Sequence, residues 1–297
     1  MNINQQNAHA RDALIHFEPG PHKYTCNGEG GYSSVTKWLH SHFKPFDADG
    51  IIKKMMRYPA KWAKSPYFGK TPDEIKAGWD KNRDEAAAAG TEMHQHIEQW
   101  ATPTHPPVWV KTNKDLLEYN NSIGSEVPQH YLDFVKDHPD LIPYRTEWMI
   151  FDEDVRIAGS IDMVGVSPPD PLLGTVATPI DENSPPGHLV IYDWKRCKEI
   201  KQTTDFKEFA LTDGIKHLPD TNFWHYSLQL NIYKAILEAK YDKKVDAMYL
   251  VCLHPSLPSY QLFPVPDLSK EVAGLFASRK AQINMSALQE SESSDKK

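Results

Sequence analysis

Three observations predict an α/β fold with a helical N-terminal half. A helix with a clear capping signal begins at Thr71. Two strand-like segments, Val155–Val166 and Leu189–Lys195, each carry a carboxylate beside apolar residues. A second long helix, Phe223–Ala239, leads into the seven-residue apolar run Ala247–Leu253. With the strand Thr146–Phe151, the order is helix, strand, strand, strand, helix, strand. Alternation of this kind builds a mixed sheet covered by helices.

Each element has its own local reason. Residues 1–70 mix short strands, such as His22–Cys26, with short amphipathic helices. Ser33 or Ser34 is placed to cap a helix through Trp38 and Leu39. In Thr71-Pro72-Asp73-Glu74, the threonine accepts from the backbone, the proline suits the first turn and the glutamate closes a capping box. That helix runs past Ala86–Ala89 to Trp100, where Pro103, Pro106 and Pro107 stop it. Helices over Asp115–Ser122 and Gln129–Asp137 follow. Val155–Val166 alternates, with Val155, Ile157, Ile161 and Met163 on one face and Arg156, Ser160 and Asp162 on the other. Asp152-Glu153-Asp154 is the turn before it. Ser167–His188 has six prolines in 22 residues and reads as a surface insertion between neighbouring strands. Asp220 or Thr221 caps Phe223–Ala239. Val245–Leu253 is a buried strand, Tyr260–Val265 pairs with it, and a last helix covers Leu268–Ile283. Residues 1–285 are expected to form one domain, with a core over 71–285. Residues 286–297, Ser/Glu/Lys-rich toward the end, are expected to be a disordered tail.

Composition removes several function classes. The chain has 297 residues, 40% hydrophobic and 25% charged, an ordinary balance for a protein with a sizeable core. Its longest apolar run is far short of the ~20 residues that span a bilayer, so no membrane partner is expected. Cys26, Cys197 and Cys252 include no Cys-x-x-Cys, which argues against a zinc ribbon, an iron–sulfur cluster and a disulfide framework. Met1–Ala10 shows no signal or transit pattern, so an intracellular, cytoplasmic location is expected. The net charge of −7 argues against a surface that binds nucleic acid everywhere.

The chemistry concentrates on Asp193-Trp194-Lys195. Residues two apart on a strand face the same side, so Asp193 and Lys195 point together. The carboxylate suits a hard cation such as Mg²⁺, and the ammonium can neutralise charge developing on phosphorus. The tripeptide pattern is cheap, since the chain has four copies, at Asp193, Asp205, Asp242 and Asp295. Only Asp193 follows an apolar strand preceded by another strand with an acid, Asp162 in Ala158-Gly159-Ser160-Ile161-Asp162. Gly159 permits close approach of backbone there. On the first long helix, Gly90, His94 and Glu98 share a face, whereas His96 lies on nearly the opposite side. On the second, Gln229 and Tyr233 are one turn apart.

Gly90-x-x-x-His94, Gly159-x-x-Asp162, Asp193-x-Lys195 and Gln229-x-x-x-Tyr233, in this order, resemble the RecB-like branch of the PD-(D/E)XK nuclease superfamily. Ser34-Val35-Thr36, Gly-Ser-Ile-Asp and Ile-x-Asp-Trp-Lys are similar to mitochondrial genome maintenance exonucleases and related phage and large-virus enzymes. The similarity covers residues 33–255. It implies the restriction-endonuclease-like core and metal-dependent hydrolysis at DNA ends, in repair, recombination or replication. It implies Mg²⁺ or Mn²⁺ held by His94, Asp162, Asp193 and the carbonyl of Trp194. It makes Lys195 the catalytic lysine and gives Gln229 and Tyr233 roles beside the phosphate. Glu147 on the preceding strand is a lesser candidate, because family members vary there. The 167–188 insertion is longer than the connection such enzymes have, and the cysteine cluster of their iron–sulfur members is missing. The alternative is a non-catalytic DNA-binding module on the same fold.

A basic stretch completes the reading. Gly50–Pro72 has six cations and no acid, interleaved with Tyr58, Trp62, Tyr67 and Phe68. Cations beside aromatic faces suit single-stranded DNA, or DNA with single-stranded ends. Lys53, Lys54, Arg57, Lys61 and Trp62 are the candidates there, and Arg196 would continue the path beyond Lys195.

Overall fold

The computed structural model describes residues 1–167, 178–179, 186–204 and 207–294. Its frame is a mixed sheet of nine strands among the described residues. These are β1 (Ile15–Glu18), β2 (Lys23–Cys26), β3 (Glu29–Ser34), β4 (Ile142–Asp152), β5 (Ile157–Ser167), β6 (Thr178–Pro179), β7 (Pro186–Lys195), β8 (Val245–Cys252) and β9 (Gln261–Pro264). The helices are α1 (Ile3–Gln6), α2 (Val35–His40), α3 (Ala48–Met56), α4 (Pro59–Trp62), α5 (Pro72–Ala101), α6 (Asn113–Ile123), α7 (Gln129–Asp137), α8 (Asn222–Lys240) and α9 (Ser269–Ser294). None of these helices is long and apolar enough to cross a membrane.

The strand order is β1-β2-β3-β5-β7-β8-β9, with β4 also paired to β5 and β6 to β7. Alternate residues of β7 sort into two cores, as a strand between two helical layers requires. Leu189 and Ile191 join the core beneath α2, α8 and α9, and Val190, Tyr192 and Trp194 join the core beneath α5 and α7.

β5 is the pivot. On one edge β4 follows it from Ile157 to Val166. On the other edge β3 pairs only Ile157 and Ala158, in parallel, and β7 pairs only Met163 to Ser167, antiparallel. Gly159-Ser160-Ile161-Asp162 therefore has no strand partner on that edge. The sheet forks there, and the fork is where the candidate chemistry lies.

Several expected elements are as read: the Thr71 capping box, with Glu74 N–H donating to Thr71 Oγ1 and Thr71 N–H to Glu74 Oε2, and the helices that follow it. Others need correction. The N-terminal half is helical over most of its length, as read, but β1–β3 form a meander that joins the sheet through β3. Asn27 and Gly28, with φ of 53° and 76°, make the tight hairpin turn between β2 and β3. β4 begins at Ile142, ahead of Thr146, because Ile142 and Pro143 pair across to Val166 and Gly165. The expected disordered tail is helical as far as Ser294. Ala281, Gln282, Met285, Ala287, Leu288 and Gln289 are good helix formers, and no Gly or Pro stops them. Thr221 holds the N-cap position of α8 without a side-chain bond, while Asp220 accepts from His225 Nε2 at 2.8 Å. Most of the 167–188 insertion lies outside the described residues, as do residues 205–206.

Candidate active site

The fork gathers side chains from both helical layers. His94 comes from α5, Glu147 from β4, Asp162 from β5, Asp193 and Lys195 from β7, and Tyr226, Gln229 and Tyr233 from α8. Where β7 leaves β5, the Trp194 N–H donates to the Asp162 carboxylate at 2.8 Å, with no β5 carbonyl opposite it. The side chain thus takes the ladder's place and is held toward β7. The Trp194 carbonyl accepts from His94 Nε2 at 2.9 Å. His94 Nδ1 lies 3.6 Å from both Glu147 Oε1 and Asp162 Oδ1. One ligand atom from each of His94, Glu147 and Asp162 falls within 4.8 Å of the others. The Ser160 hydroxyl donates to Glu147 at 3.1 Å.

Asp193 is nearly inaccessible, at 2% exposure. Lys195 Nζ sits 2.7 Å from its Oδ2, yet neither carboxylate oxygen has a hydrogen bond of good geometry. The ion pair is therefore real in distance and leaves acceptor capacity unused. The ammonium also lies over the Tyr226 ring, 4.4 Å from its centroid. Gln229 Nε2 donates to the Tyr233 hydroxyl at 3.0 Å. Tyr233 is buried against β5, where a Cβ on Gly159 would stand 2.7 Å from its ring and 3.2 Å from Val35. Glycine is the residue that lets α8 and α2 approach β5 this closely.

Electrostatics match this crowding. Burial works against the His94 imidazolium, but Asp162 and Glu147 outweigh it and raise its pKa to about 9. Burial pushes Asp193 up to about 6, with Lys195 pulling the other way, and Asp162 is raised for the same reason. The Lys195 ammonium is disfavoured by burial, yet Asp193 and Asp162 hold its pKa above the ordinary lysine value. Burial and then Glu147 raise Glu98. The site carries more negative charge than its own cations balance comfortably. An arrangement of carboxylates, an imidazole and a main-chain carbonyl has the donors that Mg²⁺ and Mn²⁺ take.

The structure brings His94, Asp162, Asp193, Trp194, Lys195, Gln229 and Tyr233 together. It places Glu147 nearer the centre than the sequence indicated: Glu147, not Asp193, completes the tight group with His94 and Asp162. Glu147 has φ of 44° within a strand, a conformation that costs an L-residue energy and aims its side chain at His94. No sequence signal marks that bend. Tyr226 was also missed, although it lies on α8 at Tyr226, Gln229, Tyr233 spacing. His96 is exposed and takes no part.

The basic candidates lie elsewhere. Lys53, Lys54 and Arg57 line an open cleft of about 780 Å³ on α3, and Lys61 and Trp62 follow on α4. Tyr58 is 53% exposed, so it does not pack into the core. Arg196 is half-buried, and after burial it is the main cause that lowers the pKa of the nearby His254. A second cleft, of about 590 Å³, runs from Lys54 past Lys44 and Phe43 to His225, one turn before Gln229.

No protein-family model matches the chain, and no curated protein matches it.

Proposed function

We propose that the protein is a metal-dependent DNA exonuclease of the PD-(D/E)XK type, acting on single-stranded ends. The observation that carries this reading is the convergence of His94, Asp162, Asp193, Lys195 and the Trp194 carbonyl at the fork between β5 and β7. The element order α5, β4, β5, β7, α8, β8 supports it, since that is the core the resemblance implies.

The donors fit a divalent ion. Asp193 Oδ1 is buried and has no hydrogen-bond partner, and a buried carboxylate oxygen is rarely left so. His94, Asp162, Asp193 and the Trp194 carbonyl would hold the ion, with Glu147 beside them. When bound, such an ion polarises a phosphoryl oxygen and lowers the pKa of water. The chain supplies the rest. Lys195, fixed by Asp193 and Tyr226, presents a positive charge to the phosphate. Glu147, anchored by Ser160, is an acceptor within reach of His94. Gln229 and Tyr233, bonded to each other, line the α8 side.

Degradation of end-labelled single-stranded DNA tests the reading. Release of label in Mg²⁺ or Mn²⁺, and none in EDTA, is expected. Tight DNA binding without turnover under any divalent ion would instead assign a non-catalytic DNA-binding module.

A further inference from the structure

A cavity of about 630 Å³ adjoins the fork, and apart from His94, Glu147 and Ser160 its lining has no part in the chemistry above. It lies between α5 and the β1–β2 hairpin, and His94, Glu147 and Ser160 form its end against the carboxylates. Phe17, Tyr24 and Met149 give it an apolar side. The Phe17 and Tyr24 rings pack with centroids 4.6 Å apart, and Phe17 is only half-buried, so ring surface remains open along the cavity. The α5 side is small at Ala87 and Gly90 and polar at Gln95 and Glu98. A side chain at Gly90 would meet nothing within 4 Å. Glycine inside a helix costs stability, and here it keeps the space open. No Lys or Arg is among the described residues that line the cavity. Its volume suits a small molecule. An aromatic side and hydrogen-bonding groups, with His94 the one basic side chain of the described lining and confined to the end at the fork, suit a flat uncharged ring beyond that end.

We propose that this cavity binds the nucleobase adjoining the phosphate at the fork, stacked on Phe17, with Gln95 and Glu98 meeting its polar edge. The proposal rests on the nuclease reading. It assigns the enzyme a base subsite whose preference comes from stacking, so that it favours bases over abasic sugars without reading sequence closely.

The test is affinity for a ten-residue oligothymidylate in Ca²⁺, with one abasic residue moved along it, for wild type, Gly90→Leu and Phe17→Leu. In wild type, one abasic position should weaken binding about tenfold, the lower end of what one stacked base contributes. Gly90→Leu narrows the cavity on its α5 side and should weaken binding of the intact oligonucleotide about tenfold, while the abasic position ceases to matter. It should melt at or above the wild-type temperature, because leucine is the better helix former and its space is free. Phe17→Leu keeps apolar bulk without a stacking face and should show the same loss of abasic sensitivity, so a folding defect in one variant leaves the other decisive. If wild type cleaves DNA but no abasic position matters, or both variants bind as wild type does, the base subsite is wrong and the nuclease reading stands. If wild type neither binds nor cleaves the oligonucleotide, the nuclease reading itself fails.

Discussion

At the scale of single residues, the site is a set of charges, Asp193 buried and the others half-buried, that satisfy one another incompletely. His94 gives a testable consequence. Its pKa in the folded protein is raised to about 9 from 6.5. Stability from a raised pKa is complete below the unfolded value and is lost as pH rises through the folded one. In EDTA, the protein should therefore lose up to about 3 kcal/mol from this group between pH 6.5 and 9. Chemical denaturation across that range should show the slope, and His94→Gln should flatten it. Asp193 behaves likewise at lower pH, losing stability as pH rises through about 6. A divalent ion needs both groups deprotonated, so Mn²⁺ should stabilise the protein more at pH 9 than at pH 6.5. Equal stabilisation at both would mean that His94 is not a ligand. Lys195→Ala should abolish cleavage yet still bind Mn²⁺. In EDTA it should also be destabilised more at pH 8 than at pH 5, where Asp193 can protonate once its partner is gone.

At the scale of elements, one close contact sets the geometry. Gly159 lets Tyr233 of α8 and Val35 of α2 lie on β5. Gly159→Ala should cost about 1–3 kcal/mol through overpacking, measured by denaturation. It should lower kcat by moving α8 away from the fork; unchanged stability and turnover would show that the contact relaxes without consequence. The helix and strand order was legible in the sequence because capping boxes, proline stops and period-two alternation are local signals. His94, Asp162, Asp193, Lys195, Gln229 and Tyr233 were legible because each stands in a short motif on a regular element. Glu147 was named through the resemblance alone, since its place depends on a left-handed residue inside β4, which no local pattern announces. The β1–β3 meander was underread, although Asn27-Gly28 is a hairpin signal, because its strands are short and join the sheet only through β3. The tail was misread because serine and glutamate suggest disorder, whereas neither interrupts a helix already under way.

At the scale of the whole molecule, the proposed function requires an acidic chain to concentrate its positive field. The exposed cations of α3 and α4 are the candidates, and the cleft from Lys54 to His225, which also carries Asp47, Glu208 and Asp220, leads from them to α8. Reversing Lys53, Arg57 and Lys61 to Glu should weaken single-stranded DNA binding. Each lost phosphate contact should reduce the salt slope by about 0.7. A salt series in Ca²⁺ measures this, and an unchanged slope would remove the basic stretch from the DNA path. The central claim is that one ion-binding fork hydrolyses DNA. It is tested most directly by calorimetric titration with Mn²⁺ alongside cleavage of end-labelled single-stranded DNA, for wild type, Asp162→Asn and Lys195→Ala. The account predicts cleavage by wild type alone, Mn²⁺ binding by wild type and Lys195→Ala, and neither by Asp162→Asn; full cleavage by Asp162→Asn would contradict it.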